Sequence, residues 1–280
     1  MLTCYESLLS FGEKELEEAN ILEAKLDAWY LLSYVFHISK MTYLLERRQQ
    51  INLDDKKIEI YYNFISKRKQ RIPLQHLTKE QEFMGFSFYV NEHVLIPRQD
   101  TETLVEEVLK DKIEGSLIDV CTGSGCIAIS LSKLGSFKEV IGVDISKEAL
   151  EVAETNKQKL DANVTFMESD LFDNVEKQKF DCIVSNPPYI RKEVIETLEP
   201  EVKEFEPYLA LYGPEEGLYF YKKIATIGKQ YLKSNGKIYF EIGHDQGEQV
   251  KEILEFNGYK DICIIKDLAG LDRVVKGILL

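Results

Sequence analysis

The residues of this 280-residue chain best suited to chemistry are Ser185-Asn186-Pro187-Pro188-Tyr189-Ile190, directly after an apolar run that reads as a strand. Two successive prolines fix φ and remove two backbone donors, so this stretch is stiff and presents carbonyls only. Asn186 adds a side-chain carbonyl and Tyr189 an aromatic face. A planar NH2 group can donate to the Asn186 side chain and the Pro187 carbonyl while its plane stacks on Tyr189. An amide nitrogen is a poor nucleophile because its lone pair is delocalised into the carbonyl. Acceptors gripping both hydrogens orient that nitrogen toward an electrophile, so catalysis comes from positioning and electrostatics without a covalent intermediate. No strong base is needed beforehand, because N–H acidity rises once the nitrogen is substituted. Accordingly, His37, His76, His93 and His244 are all distant from the tetrapeptide in sequence.

A second constellation lies upstream. Leu117 to Leu131 reads as an apolar strand, the turn Cys121-Thr122-Gly123-Ser124-Gly125, and an apolar helix. In a doubly wound sheet, ligands bind at the carboxyl ends of the strands, where such a turn lets backbone approach them closely. Asp144 ends the next strand, 21 residues after Gly123. A carboxylate there can accept both hydroxyl hydrogens of a ribose. Ser169-Asp170-Leu171-Phe172 follows a third strand, where Asp170 can accept from an adenine amino group and Leu171 or Phe172 can pack on the ring. Together these features point to a nucleoside-type cofactor. The G-x-G-x-x-G pattern of dinucleotide sites is not met, since position 121 is Cys and 128 is Ala, and no Gly-Lys-Ser/Thr is present. A nicotinamide dinucleotide stays open as an alternative.

The elements that must position these groups are also legible. From Leu2 to about Arg71 the pattern is helical, with apolar residues at three- and four-residue steps in Leu22, Leu26, Trp29, Leu32, Val35 and Phe36. A turn signal at Asn52-Leu53-Asp54-Asp55 opens a further helix that stops before Pro73. A small helical domain over 1–80 is expected. Over 81–97, Phe83, Phe86, Phe88, Val90, Val94 and Ile96 predict a β-hairpin linker that turns at Asn91-Glu92-His93. A catalytic domain over 98–280 is expected to alternate strands and helices. Its strands are Leu117–Val120, Val140–Ile145, Val164–Glu168, Cys182–Ser185, Lys237–Ile242, Lys260–Ile265 and Arg273–Leu279. That alternation implies an α/β fold with a mostly parallel sheet. The last two strands are too close for a helical crossover and should pair antiparallel, which makes a Rossmann-like seven-stranded methyltransferase arrangement.

Composition narrows the function classes. The formal net charge is -13, and the acidity is concentrated beyond Val90. A duplex-DNA binder needs a basic face for phosphate contacts, so direct DNA binding is not expected. The one basic cluster, Lys67, Arg68, Lys69 and Arg71, reads as a solvated helix end, with a nucleic-acid-bearing partner as the alternative. Five scattered cysteines, Cys4, Cys121, Cys126, Cys182 and Cys263, form no C-x-x-C pair, and no H-x-x-x-H spacing occurs. No metal site is expected. The N-terminus lacks a signal-peptide pattern and no apolar run is long enough to span a bilayer, so a reduced cytoplasmic protein is the expectation.

Asn186-Pro187-Pro188-Tyr189 also resembles a tetrapeptide of DNA amino-methyltransferases, but further segments resemble one family: the peptide chain release factor glutamine methyltransferases, HemK or PrmC. Leu95-Ile-Pro-Arg-Gln-Asp-Thr-Glu102 is similar to its lead into the catalytic domain, with Gln99 where proline is usual. Glu206-Pro-Tyr-Leu-Ala-Leu-Tyr-Gly213, Glu241-Ile-Gly-His-Asp-Gln246 and Asp267-Leu-Ala-Gly-Leu-Asp-Arg-Val-Val275 resemble its later segments. The resemblance covers essentially the whole chain. It implies S-adenosylmethionine as cofactor, S-adenosylhomocysteine as product, and the glutamine of the Gly-Gly-Gln loop of bacterial class I release factors as substrate. By the same resemblance the helical domain helps grip the release factor. Cys121, Thr122, Gly123, Ser124 and Gly125 would line the methionine and ribose region, with Asp119 under the methionine moiety. Asp144 would hold the ribose, Asp170 and Leu171 flank adenine, and Asn186 border the cofactor. Asn186, Pro187, Pro188 and Tyr189 would hold the glutamine, with Asn186, Pro187 and Tyr189 carrying catalysis. Cys121 stands where glycine is common and Leu171 where an aromatic residue is common. Sister activities on a large-subunit ribosomal protein or on DNA adenine are the alternatives.

Overall fold

The computed structural model describes residues 3–50 and 55–280. These divide into two compact units, residues 3–79 with Pro200–Phe205, and residues 80–199 with 206–280. The turn expected over Asn52 to Asp55 lies outside the described residues.

In the first unit, helices Tyr5–Glu18, Ala24–Phe36 and Asp55–Lys69 pack around Leu8, Leu16, Ala28, Leu31, Leu32, Tyr61 and Ile65. The buried stripe of the second helix is Ala24, Ala28, Leu31, Leu32, Val35 and Phe36. Leu22 is 86% exposed and Leu26 47% exposed, contrary to the expected stripe. The reason is register. Leu22 precedes the helix, and the two alanines, not the larger residues, let neighbouring helices approach closely. The basic cluster is also corrected. Arg68 is buried and donates to Asp27 at 2.7 Å and to Glu201 at 2.9 Å. Arg71 donates to Glu201 at 3.2 Å and to the carbonyls of Ala19 and Asn20, while Lys69 pairs with Glu15. Of the four cations, Lys67 is the exposed one. Three of them stitch the unit together, because carboxylates from other helices face them.

The second unit opens with a hairpin of β1 (Glu80–Phe83) and β2 (Phe86–Tyr89). Its turn is Met84-Gly85, both at positive φ, +49° and +77°, the two-residue form that matches strand twist. The expected turn at Asn91–His93 exists as a local Asx turn, with His93 N donating to Asn91 Oδ1 at 3.0 Å. No strand follows it. Val90 and Val94 instead pack on Ala149 and Val152. Spacing alone does not separate strand burial from loop burial here.

Seven strands follow: β3 (Glu114–Val120), β4 (Ser136–Asp144), β5 (Thr165–Glu168), β6 (Phe180–Ser185), β7 (Leu232–Glu241), β8 (Lys260–Lys266) and β9 (Asp272–Leu279). Among the described residues they form one sheet of order β5-β4-β3-β6-β7-β9-β8. β9 is antiparallel to both of its neighbours, and the other pairs are parallel. Both faces are covered. Ile118, Val120, Ile183, Ile238 and Phe240 meet Tyr221, Ile224 and Leu254 on one side. Leu117, Cys182, Val184 and Tyr239 meet Leu104, Val108, Ile127 and Leu131 on the other. This is the expected α/β architecture, and the chain order reverses between β3 and β6, where the sheet leaves a crevice beyond the strand ends.

Replacing Arg68 with alanine leaves buried Asp27 without its cation, while Glu201 keeps Arg71 at 3.2 Å. The expected loss is about 3–5 kcal/mol of unfolding free energy for breaking a buried pair from one side, read by urea denaturation. A loss under about 1 kcal/mol, the value of an exposed pair, would mean the network contributes little.

Candidate active site

β3 and β6 pair in parallel with Leu117 opposite Cys182 and Val120 opposite Ser185. The two strands end level, and the Ser185 hydroxyl donates to the Val120 carbonyl at 2.6 Å. The turn after β3 and the tetrapeptide after β6 therefore start side by side. Between them opens a cavity of about 310 Å³.

The turn is shaped by three left-handed residues, Cys121 at φ +63°, Gly123 at +54° and Gly125 at +78°. Gly125 caps the helix Cys126–Leu134, and a Cβ on it would run into the Phe166 ring. Gly123 faces open space, and its N–H donates to Asp144 Oδ2 at 2.9 Å. Asp144 Oδ1 accepts from Ser146 N at 3.0 Å. Burial raises the Asp144 pKa, against the backbone donors of Ser146, Gly123 and Ile145. Each carboxylate oxygen keeps lone-pair capacity for a hydroxyl. Asn156, fully buried, accepts from Tyr89 N at 2.6 Å and donates to the carbonyls of Tyr89 and Ser124, each at 2.9 Å. It thereby ties the hairpin and the turn to the helix Lys147–Leu160.

Of the expected site residues, Cys121, Thr122, Gly123, Ser124, Asp144, Asp170, Leu171, Asn186 and Pro188 line the cavity. Gly125, Pro187 and Tyr189 do not line it. Tyr189 sits against the core behind the tetrapeptide, where burial pushes its phenol pKa up and keeps it neutral. Phe172 is corrected: it is buried and stacks on Tyr231 at 4.7 Å, so Leu171 alone of that pair faces the cavity. Leu171 reaches the wall because it adopts φ +49°. His93, distant in sequence from the tetrapeptide, also lines the cavity. Asp119 is fully buried below the turn, accepts from the Thr122 hydroxyl at 2.6 Å, and has no partner for Oδ1 among the described residues. Burial pushes its pKa up to about 7.

The sequence reading missed several residues. Ile145, 51% exposed beside Asp144, adds an apolar wall; its place directly after the strand-end acid was the available signal. Arg98 lines the cavity and donates to buried Glu206 at 2.6 Å, while Glu206 also accepts from Ile96 N at 3.3 Å. Thr101, buried, accepts from Asn186 Nδ2 at 3.4 Å. Glu241, buried at the end of β7, accepts from the Tyr189 hydroxyl at 3.4 Å. Pairing across sequence separations this large leaves no local pattern.

The carboxylate at one strand end, the apolar walls of Ile145 and Leu171 and the open approach at Gly123 fit a nucleoside cofactor.

Comparison with known proteins agrees with this architecture. Residues 7–78 match the family profile "PrmC N-terminal domain" and residues 99–201 match "Methyltransferase small domain". A release factor glutamine methyltransferase of Clostridium botulinum is 41% identical over 278 residues, covering 97% of this chain and 98% of that protein. The enzyme of the same name from Clostridium acetobutylicum is 42% identical over 257 residues, covering 89% of each chain. The chain belongs to the release factor glutamine methyltransferase family. Solved structures agree on the fold. A Pyrococcus furiosus methyltransferase superposes with a TM-score of 0.55 at 20% identity, covering 76% of this chain and 98% of that one. A Thermus thermophilus 16S rRNA methyltransferase, solved with AdoMet and guanosine, gives 0.52 at 14% identity over 72% of this chain and 50% of that one. The catalytic unit has the Rossmann-like fold of S-adenosylmethionine-dependent methyltransferases. The backbone at Cys121 is left-handed, a conformation that an L side chain adopts at a cost of about 1–2 kcal/mol.

Cys121→Gly is therefore expected to stabilise the protein by about 1 kcal/mol once relief of the backbone strain is set against the added unfolded-state entropy. Chemical denaturation measures it. A lowered midpoint would show that packing of the Cys121 thiol outweighs its backbone strain.

Proposed function

We propose that this chain transfers a methyl group from S-adenosylmethionine to the side-chain amide nitrogen of a glutamine, that of the Gly-Gly-Gln motif in bacterial class I release factors. The observation that carries the reading is Asn186. It stands at the end of β6 beside the cofactor turn, its Nδ2 is occupied by Thr101, and its side-chain oxygen remains as an acceptor. The activity for which the relatives are named, at about 41% identity over nearly the full length, supports the substrate.

In this reading Asp144 holds the ribose hydroxyls, Asp170 and Leu171 flank adenine with Ile145, and Cys121 to Gly125 cradle the methionine portion. The bound cofactor supplies an electrophilic methyl on a sulfonium, leaving as S-adenosylhomocysteine. Asn186 Oδ1 and the Pro187 carbonyl accept the two N–H groups of the glutamine amide, and the Tyr189 ring supports its plane. The rigid Pro187-Pro188 backbone holds these acceptors without reorganisation. Two acceptors on one nitrogen draw its lone pair out of conjugation and aim it at the methyl carbon. As the N–C bond forms, the nitrogen gives up one proton to water. The helical unit supplies further contact to the protein substrate. Release factors act where translation occurs, so the protein works in the cytoplasm. No helix among the described residues is long and apolar enough to cross a membrane. The acidic charge disfavours direct DNA binding, and the chemistry assigned here calls for no metal.

The test is transfer of labelled methyl from S-adenosylmethionine to unmethylated release factor, beside a substrate whose Gly-Gly-Gln glutamine is alanine. Label on the first and none on the second is expected. Label appearing only on ribosomal protein or on DNA adenine would assign one of the sister activities. Asn186→Ala should lower kcat by about 10²-fold or more, the usual cost of one preorganised polar contact, with the cofactor Kd nearly unchanged. Normal turnover by that variant would dismiss the amide clamp. Asp144→Ala should weaken S-adenosylmethionine binding by about 1.5–3 kcal/mol, as for loss of a charged hydrogen bond, measured by calorimetry. An unchanged Kd would move the ribose elsewhere.

A further inference from the structure

Proline fixes φ but leaves ψ free, so Pro187 and Pro188 do not by themselves hold the carbonyls of this segment in one direction. Its upstream end is set by the sheet, where Ser185 pairs within β6 and donates to the Val120 carbonyl at 2.6 Å. Its downstream end is held by the later loop over residues 211–217 and by Gln246. Ile190 N donates to the Leu211 carbonyl and Gly213 N to the Ile190 carbonyl, each at 2.9 Å. Gly213 is buried, and a Cβ on it would stand 2.7 Å from both the Pro188 oxygen and Tyr189 Cα. A Cβ on buried Gly217 would run into the Tyr189 oxygen. Gln246, buried at the head of the helix Gly247–Phe256, donates from Nε2 to that same oxygen at 3.3 Å.

We propose that Gln246, together with Gly213, is a positioning residue that anchors the downstream end of the tetrapeptide and so fixes its acceptors, an inference that rests on the amide-clamp reading above. The direction of the Gln246 amide follows from donor and acceptor polarity. A backbone N–H only donates, and Gly243 N gives to Gln246 Oε1 at 3.0 Å. Nε2 is then left to face the Tyr189 carbonyl, which only accepts. Rotation about ψ of Tyr189 would take its oxygen off that donor, and rotation about ψ of Pro188 would drive its oxygen against the Gly213 backbone. With Ser185 and Ile190 both held, Asn186 and Pro187 span two fixed ends. The two acceptors offered to a glutamine NH2 are thereby set before substrate arrives. Gln246 does not line the cavity and acts only through the Tyr189 peptide.

Tyr189-Ile190 is the one Tyr-Ile pair in the sequence. The full chain labelled with carbonyl-¹³C tyrosine and ¹⁵N isoleucine therefore gives a single carbonyl-to-amide NMR signal, from the peptide that Gln246 holds. Gln246→Met keeps the side-chain length and removes the donor. Gly213→Ala, at a position of ordinary φ, presses on the Pro188 and Tyr189 backbone. Both variants are expected to move that signal and to lower kcat on release factor by about tenfold, the worth of one buried hydrogen bond. KM for release factor and the cofactor Kd should stay unchanged, which separates misplaced acceptors from a damaged fold. Should Gly213→Ala lose cofactor binding altogether, Gln246→Met decides alone. A signal that stays in place in Gln246→Met, or a kcat within twofold of the unchanged chain's, overturns the proposal. Failure of the unchanged chain to methylate release factor, with the signal still displaced in the variants, overturns the substrate reading and upholds the anchor.

Discussion

The parallel pairing of β3 with β6 is the constraint on which the rest of this site depends. It makes two strands end level, closes them with the Ser185 to Val120 hydrogen bond, and so starts the Cys121–Gly125 turn and the Asn-Pro-Pro-Tyr segment side by side. Both strands are buried on both faces, and slipping either by one residue would turn its apolar side chains against the wrong helices. Core packing therefore sets the distance between the Cys121–Gly125 turn and the Asn186–Tyr189 segment, to which the proposed function gives the cofactor and the substrate. Catalytic geometry is inherited from hydrophobic registry.

Around that junction, polar groups are held by partners far away in sequence. Asn156 bonds the hairpin and the cofactor turn at once. Glu206 holds the segment that carries Arg98. Thr101 accepts from Asn186 Nδ2, and Glu241 from the Tyr189 hydroxyl. Buried polar groups of this kind are costly unless satisfied, and once satisfied they select one arrangement among near equals. The site is stiff because the Pro187-Pro188 backbone supplies rigidity from within and this network supplies it from behind.

The helical unit uses charge differently. Its basic cluster looked like a solvated helix end, yet Arg68 is buried between Asp27 and Glu201, the latter contributed by a segment over 130 residues later in the chain. A local charge run reports only its own sign; whether it meets water or carboxylates depends on what the fold returns to it. Phe172 illustrates the same limit for apolar residues. Next to Leu171 in sequence, it turns into the core against Tyr231 because the left-handed Leu171 swings the backbone between them.

What the sequence determined by itself was whatever has a local physical signature. Strand and helix periodicity placed all seven strands of the main sheet and their closing antiparallel hairpin, because alternation and apolar runs follow directly from burial. The left-handed turn was marked by its glycines, and the stiff acceptor array by two prolines beside an asparagine. Tertiary structure decided everything that requires two distant segments to meet: the Met84-Gly85 turn in preference to Asn91–His93, the walls added by Ile145 and His93, and the contacts of Asn186 with Thr101 and of Tyr189 with Glu241. It also showed that Cys121 stands at a strained position, since φ is not written in residue type alone. Such contacts are set by the packing of whole elements, and a one-dimensional pattern carries no term for them.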